Sequence, residues 1–184
     1  MRPGGGKQKG AQFERDVCKQ LSRWLSGGER EDLFWRSAMS GGRTTVRTKQ
    51  GKHDADNQAG DVTAIDPVGK RLTDVFLIEC KYYREWNWRG LLRHQGNLWK
   101  VVEQLTGQAA SFGRHPMLFL RENLCPLRIL VDDDGANILH ECSPTIFGLP
   151  LAVYHEWLFV FDSDDVLQPE TAKEFLRRSW EGEF

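Results

Sequence analysis

The clearest periodic signal in the chain lies near its start. Phe13, Val17, Cys18, Leu21, Trp24 and Leu25 return at helical spacing and share an arc of about 140°. Arg15, Asp16, Lys19, Ser22 and Arg23 fall on the opposite side. The pattern predicts a helix from Gly10 to Leu25, stopped at Ser26-Gly27-Gly28, and a short strand at Leu33–Arg36. Residues 37–60 are polar, rich in Gly, Thr, Lys and Asp, and aperiodic, which marks a functional or disordered loop. Strands are expected at Asp61–Ile65 and Val75–Lys81, and the turn-rich PVGKRLTD between them reads as the loop of a hairpin. A helix near Leu98–Phe112 follows, then strands at Met117–Leu120, Leu127–Val131 and Trp157–Phe161. An Asp132-Asp133-Asp134-Gly135 turn and a helix near Glu170–Trp180 complete the pattern. This order predicts an α/β fold, a central mixed sheet with helices on its faces.

Composition narrows the class. A chain of 184 residues suits one compact domain with a substantial core. Residues 1–9, rich in Gly and Lys, are expected to be a flexible N-terminus. They contain no apolar segment of a secretory signal, and no apolar run is long enough to cross a bilayer, so a cytoplasmic location is expected. Cys18, Cys80, Cys125 and Cys142 form no C-x-x-C pair, which argues for free thiols rather than a zinc module or disulfide framework.

The nearly neutral total charge conceals two unlike halves. Residues 1–100 carry 19 Lys+Arg against 12 Asp+Glu, whereas residues 101–184 carry 6 against 14. Arg36, Arg43, Arg47, Lys49 and Lys52 occur in one stretch without an acid among them. Such a run suits either a DNA phosphate backbone or a solvated loop.

Three acids and one lysine break the apolar pattern. Glu14 falls inside the apolar arc of the first helix, between Leu21 and Leu25. A carboxylate there costs several kcal/mol, about 3–5, unless a cation or hydrogen bonds receive it. The other reading is an acid in a frayed first turn, favoured by the helix dipole. Val75-Phe76-Leu77-Ile78 is an apolar run of a strand covered on both sides, and it closes on Glu79-Cys80-Lys81. Alternation puts Glu79 and Lys81 on one face and Cys80 on the other. Asp61 opens the neighbouring strand after Gly60, where pairing brings it beside Glu79. Two adjacent carboxylates repel, and a hard divalent cation such as Mg²⁺ or Mn²⁺ relieves the cost.

At these residues the chain resembles the PD-(D/E)XK nuclease superfamily, and within it the archaeal and phage Holliday junction resolvase-like endonucleases. The matching pieces are KGAQFERDV with Glu14, FWRSAMSGGR with Arg36 and Ser37, AGDVTAID with Asp61, FLIECKYY with Glu79 and Lys81, and QAASFGRHPMLFLRE with Gln108. Gly60 stands where the motif has proline. The resemblance implies a restriction-endonuclease-like core of four mixed strands flanked by helices, here residues 10–121, with 122–184 as a C-terminal extension packed on it. It implies a homodimer acting on branched DNA. Asp61, Glu79 and the Cys80 carbonyl would hold Mg²⁺, with Mn²⁺ able to substitute, and Glu14 would reach the same ion through water or support a second. Lys81 would position the nucleophile, leaving a 3′-hydroxyl and a 5′-phosphate. Arg36, Arg43, Arg47, Lys49 and Lys52 would grip DNA, and Ser37 and Gln108 would support the site.

Other readings remain. His53-Asp54 with His94, His115 and His140 suggests a zinc or HNH site, though the spacings match no ligand pattern. Trp86 and Trp88, beside Arg84 and Arg89, suit base stacking or a core position. An end-dependent exonuclease, a restriction-type enzyme, an RNase and a non-catalytic DNA-binding module with a nuclease fold are the competing functions.

Overall fold

The computed structural model describes residues 5–37, 59–143, 152–154 and 158–184. Its first element is helix α1 (Gly5–Leu25), one turn longer at its start than the apolar period predicts. Phe13, Val17, Cys18, Leu21, Trp24 and Leu25 are all buried, as the arc requires. Ser22 corrects the wheel: it is fully buried rather than solvent-facing. Its hydroxyl donates to the Cys18 carbonyl and accepts from the N–H groups of Leu33 (3.1 Å) and Phe34 (3.3 Å). That contact ties α1 to strand β1 (Phe34–Arg36), which pairs antiparallel with β2 (Val62–Ala64) in a two-stranded ribbon.

The expected hairpin is replaced by a crossover. PVGKRLTD folds as helix α2 (Pro67–Val75), not as a turn. The Asp66 side chain caps it by accepting from Val68 N–H, and Pro67 occupies the first turn, where no N–H is needed. The Asp-Pro pair with Val68 and Leu72 one turn apart was the sequence signal for this helix. After α2 the chain runs directly into β3 (Phe76–Tyr83).

The remaining elements are α3 (Trp88–Leu91), α4 (Gly96–Ser111), β4 (His115–Glu122), β5 (Arg128–Asp132), α5 (Asp133–Cys142), β6 (Ala152–Tyr154), β7 (Leu158–Asp162), α6 (Ser163–Val166) and α7 (Pro169–Glu181). The sheet order is β3-β4-β5-β7-β6. Strands β3 and β4 are parallel and the other pairs antiparallel. This is the expected mixed four-strand sheet flanked by helices, with short β6 added at one edge. The acidic 132–135 segment is a second correction. Asp132 ends β5 and its carboxylate accepts from Gly135 N–H, so the acids start helix α5 instead of forming a turn.

Side-chain alternation sorts the core into two layers. Phe76, Ile78, Cys80, Met117, Phe119, Ile129, Val131 and Phe161 join α1, α2, α5 and α7 residues on one face. Leu77, Leu118, Leu120, Leu130, Leu158 and Val160 meet Leu91, Leu98, Val102, Leu105 and Ala109 on the other. Residues 122–184 supply β5, β7 and α7 to this same sheet and core.

At the free edge of β3 the chain turns sharply through Gly60, whose φ is +81°. A Cβ there would lie 2.5 Å from the Ile78 carbonyl oxygen. Proline, held near φ −65°, cannot adopt this conformation, which accounts for glycine in the motif's proline position. Gly60→Ala therefore meets both left-handed strain, about 1–3 kcal/mol, and a backbone collision. It is expected to lower the unfolding midpoint in urea clearly, whereas Gly10→Ala, in open helical surroundings, is expected to be neutral or stabilising. Equal midpoints for the two variants would contradict this account of Gly60.

Candidate functional site

Immediately after the Gly60 turn, Asp61 is drawn against the unpaired edge of β3. Its N–H donates to the Ile78 carbonyl (2.8 Å), and its carboxylate oxygen Oδ2 accepts from Cys80 N–H (2.9 Å). Its own carbonyl accepts from Ser37 N–H (2.9 Å), which prolongs the β1–β2 ladder by one pair. Asp61 is only 3% exposed, yet it replaces a missing strand partner on one side and extends the ribbon on the other. The predicted proximity of Asp61 and Glu79 is therefore present, although hairpin pairing does not create it.

Glu79 and Lys81 lie on the same face of β3, two residues apart. Lys81 Nζ bonds Glu79 Oε1, lies 3.1 Å from Asp61 Oδ2, and lies 3.4 Å from the Cys80 carbonyl oxygen. Three oxygens, from the Asp61 and Glu79 carboxylates and the Cys80 carbonyl, thus converge on one cation. They are the same three that the resemblance assigns to a divalent ion. All are hard oxygen donors of the type that Mg²⁺ and Mn²⁺ prefer. The donor set present therefore fits such an ion.

The electrostatics follow from burial. Loss of solvent, then the charge of Asp61, pushes the Glu79 carboxyl up to about 7 against the pull of Lys81. Burial disfavours the charged Lys81, but Glu79 and Asp61 outweigh it and hold the ammonium above its ordinary range. The Cys80 thiol is pushed well up by burial and then by Asp61, and the Cys18 thiol by burial and then by Glu14, to about 12. Both are thus held as neutral thiols, and what Cys80 offers the Asp61–Glu79 cluster is its backbone carbonyl.

Glu14 finds its partner on β1. Arg36 donates from Nε (2.8 Å) and Nη2 (2.7 Å) to Glu14 Oε2. The inward acid is thus compensated by an arginine that had been expected to grip DNA. Among the described residues no group of three or more His, Cys, Asp or Glu side chains is arranged to hold a metal. Ser37 is buried beside Asp61 through the backbone pair already described. Gln108 lies on α4, partly exposed, and its carbonyl accepts from the Ser111 hydroxyl (2.7 Å). Arg43, Arg47, Lys49, Lys52 and His53 lie outside the described residues.

The rival constellations separate. His115 faces Asp132 and the Phe76 ring, and His94 stacks on Trp99 with centroids 4.1 Å apart. Trp86 is core: its indole N–H donates to the Arg121 carbonyl (3.2 Å), while Trp88 donates to Glu122 (3.2 Å). These bonds fasten the β3–α3 connection to β4 rather than presenting both rings for stacking. No helix of the described residues is long and apolar enough to cross a membrane.

No curated protein and no solved structure matches the chain. A family model described as "Phage putative PDDEXK endonuclease" matches residues 5–147, which include Glu14, Arg36, Asp61, Glu79, Lys81 and Gln108. The chain belongs to this phage PDDEXK endonuclease family.

Proposed function

We propose that the protein is a metal-dependent deoxyribonuclease whose site is Asp61, Glu79, Lys81 and the Cys80 carbonyl, with Glu14 as an accessory acid. The observation that carries this reading is the convergence of the three oxygens on Lys81 Nζ. Asp61, Glu79 and the Cys80 carbonyl would hold Mg²⁺ or Mn²⁺, which activates water and neutralises charge on the scissile phosphate. Lys81 is the group left to hold the attacking oxygen and steady the negative charge that builds on phosphorus. Its side chain is 29% exposed, so the ammonium reaches solvent without losing its strand position. Arg36 holds Glu14 in place beside the site through Nε and Nη2. Arg43, Arg47, Lys49 and Lys52 would grip the DNA backbone without reading sequence. A homodimer would set two such sites against opposed strands of a branched junction.

A substrate panel tests the reading: labelled four-way junction, fork, duplex and single strand, each with Mg²⁺, Mn²⁺ or Ca²⁺. Paired nicks near the branch point are expected with Mg²⁺ or Mn²⁺, whereas Ca²⁺, looser in its geometry, should support binding with little turnover. Cutting of linear duplex as readily as junctions would refute branch selectivity and leave the nuclease assignment standing.

Asp61→Asn, Glu79→Gln and Lys81→Met are each expected to lower turnover by more than about a hundredfold. Asparagine is the informative change at Asp61, because alanine would also orphan the buried Cys80 N–H, at about 1–3 kcal/mol. Unimpaired turnover in any of these variants would remove that residue from the catalytic set.

The raised Glu79 carboxyl fixes a pH dependence. Between its usual 4.5 and about 7, the folded protein binds a proton here that the unfolded chain lacks. Glu79 therefore disfavours folding increasingly as pH rises through that interval, and a metal must displace the proton. Metal affinity, followed by titration calorimetry, is expected to rise with pH up to about 7 and then level, with proton uptake by the buffer. A flat affinity across this interval would show that Glu79 is not a ligand.

Joint neutralisation of Arg43, Arg47 and Lys49 is expected to weaken binding to all DNA sequences alike and to flatten its salt dependence. An unchanged salt slope would put the DNA path elsewhere.

A further inference from the structure

The β1–β2 ribbon has two unlike faces. Phe34, Arg36, Val62 and Ala64 alternate toward α1, where Phe34 and Val62 enter the core and Arg36 meets Glu14. Trp35, Ser37, Asp61 and Thr63 alternate onto the other face. That second face is buried at its Ser37–Asp61 end and open at Trp35, which is 64% exposed.

Nothing among the described residues accounts for the exposure of this indole. Among the described residues the Trp35 side chain makes no hydrogen bond, ring contact or cation contact, and only its backbone is engaged, in the pair with Thr63. The other exposed tryptophan among the described residues, Trp180, differs: the Arg71 guanidinium lies 3.9 Å from its ring centroid. Trp24 and Trp86, both buried, each place their N–H on a carbonyl. Register gives Trp35 its significance. Trp35 pairs with Thr63 and Ser37 with Asp61, so Trp35 and Asp61 are diagonal neighbours on one ribbon face, about 7–8 Å apart and within reach of an aromatic side chain.

We propose that Trp35 is a stacking platform for a nucleobase exposed beside the phosphate cleaved at Asp61. This inference rests on the nuclease reading and deepens it. An indole face accepts any base, so recognition is independent of sequence and depends on a base being free to leave its stack. Duplex DNA offers such a base only where it is interrupted, at a branch, fork or end, and single strands offer it everywhere. Trp35 therefore selects interrupted or single-stranded DNA over continuous duplex.

The test uses the full chain, Trp35→Ala, Trp35→Phe, and oligonucleotides whose wild-type cleavage position has been mapped. Each base flanking that position is replaced in turn by 2-aminopurine or by an abasic residue. Binding is followed by fluorescence in EDTA, and cleavage with Mg²⁺. Wild type and Trp35→Phe are expected to quench 2-aminopurine at one flanking position, and Trp35→Ala is not. Trp35→Ala should raise KM about tenfold with kcat little changed and an unaltered unfolding midpoint. The abasic substitution should weaken wild type by a similar factor and leave Trp35→Ala unaffected. An abasic penalty equal in wild type and Trp35→Ala, or an unchanged KM, overturns the stacking role while cleavage upholds the nuclease reading. If wild type cuts nothing, the nuclease reading fails, and equal EDTA binding of intact and abasic strands by both proteins rejects the platform as well.

Discussion

An edge strand in a sheet carries backbone groups with no partner, and β3 is such a strand. The structure answers with a single residue rather than another strand. Asp61 gives its N–H to Ile78 and takes the Cys80 N–H on its carboxylate. Buried backbone groups without partners cost about as much as a lost hydrogen bond, so this substitution is strongly specified. Much of the surrounding geometry follows from it. The chain can approach β3 this closely only through a residue without a side chain at position 60. The ribbon that delivers Asp61 then lies across the Glu79–Lys81 end of β3, and its β1 strand carries Arg36 to Glu14. One backbone requirement thus assembles side chains from four separate places in the sequence.

The charges so assembled do not cancel. Glu14 and Arg36 neutralise each other, whereas Asp61 and Glu79 share one ammonium. The residual negative charge sits in a poorly solvated place, which is why burial and Asp61 together drive the Glu79 carboxyl up to about 7. A proton on Glu79 offsets it one way, and a divalent ion on the same oxygens would offset it another. The site can thus exist with Lys81 holding the carboxylates together, and its buried acids need not force the ribbon apart.

Elements with an uninterrupted period were legible in the sequence. The α1 arc, the apolar β3 run and the inward Glu14 all describe what these residues do in the fold, and the Glu79/Lys81 face follows from simple alternation. The failures share a cause. PVGKRLTD and the Asp132–Gly135 segment are rich in turn-forming residues, yet both begin helices directly beside a strand. Aspartate, proline and glycine serve turns and helix starts alike, and only the apolar spacing that follows distinguishes them. Ser22 shows a second limit. It lies outside the apolar arc, and its burial depends on two N–H groups eleven and twelve residues away. The Arg36–Glu14 pair was invisible for the same reason, since no periodicity relates α1 to β1.

The acidic balance of the second half also acquires a physical account. Asp132 and Asp162 each end a strand and cap the helix that follows, with Asp133, Asp134, Asp164 and Asp165 in the first turns of those helices. Acids there offset the free N–H groups and the positive end of the helix dipole. On α7, Glu174 and Glu181 pair with Arg177 and Arg178, and Glu183 just past the helix and Glu141 on α5 join them. The acids of this region are thus largely engaged in starting and fastening helices. Their role bears on the site through α1. Phe175 of α7 packs against Trp24 and Phe76, and Trp24 donates to the Gln168 carbonyl. Residues beyond the family match, which ends at 147, therefore cover the helix that holds Glu14 and the strand that holds Glu79. The acidic segment is part of the frame that keeps the ribbon, α1 and β3 in register, and its charge is spent within that frame.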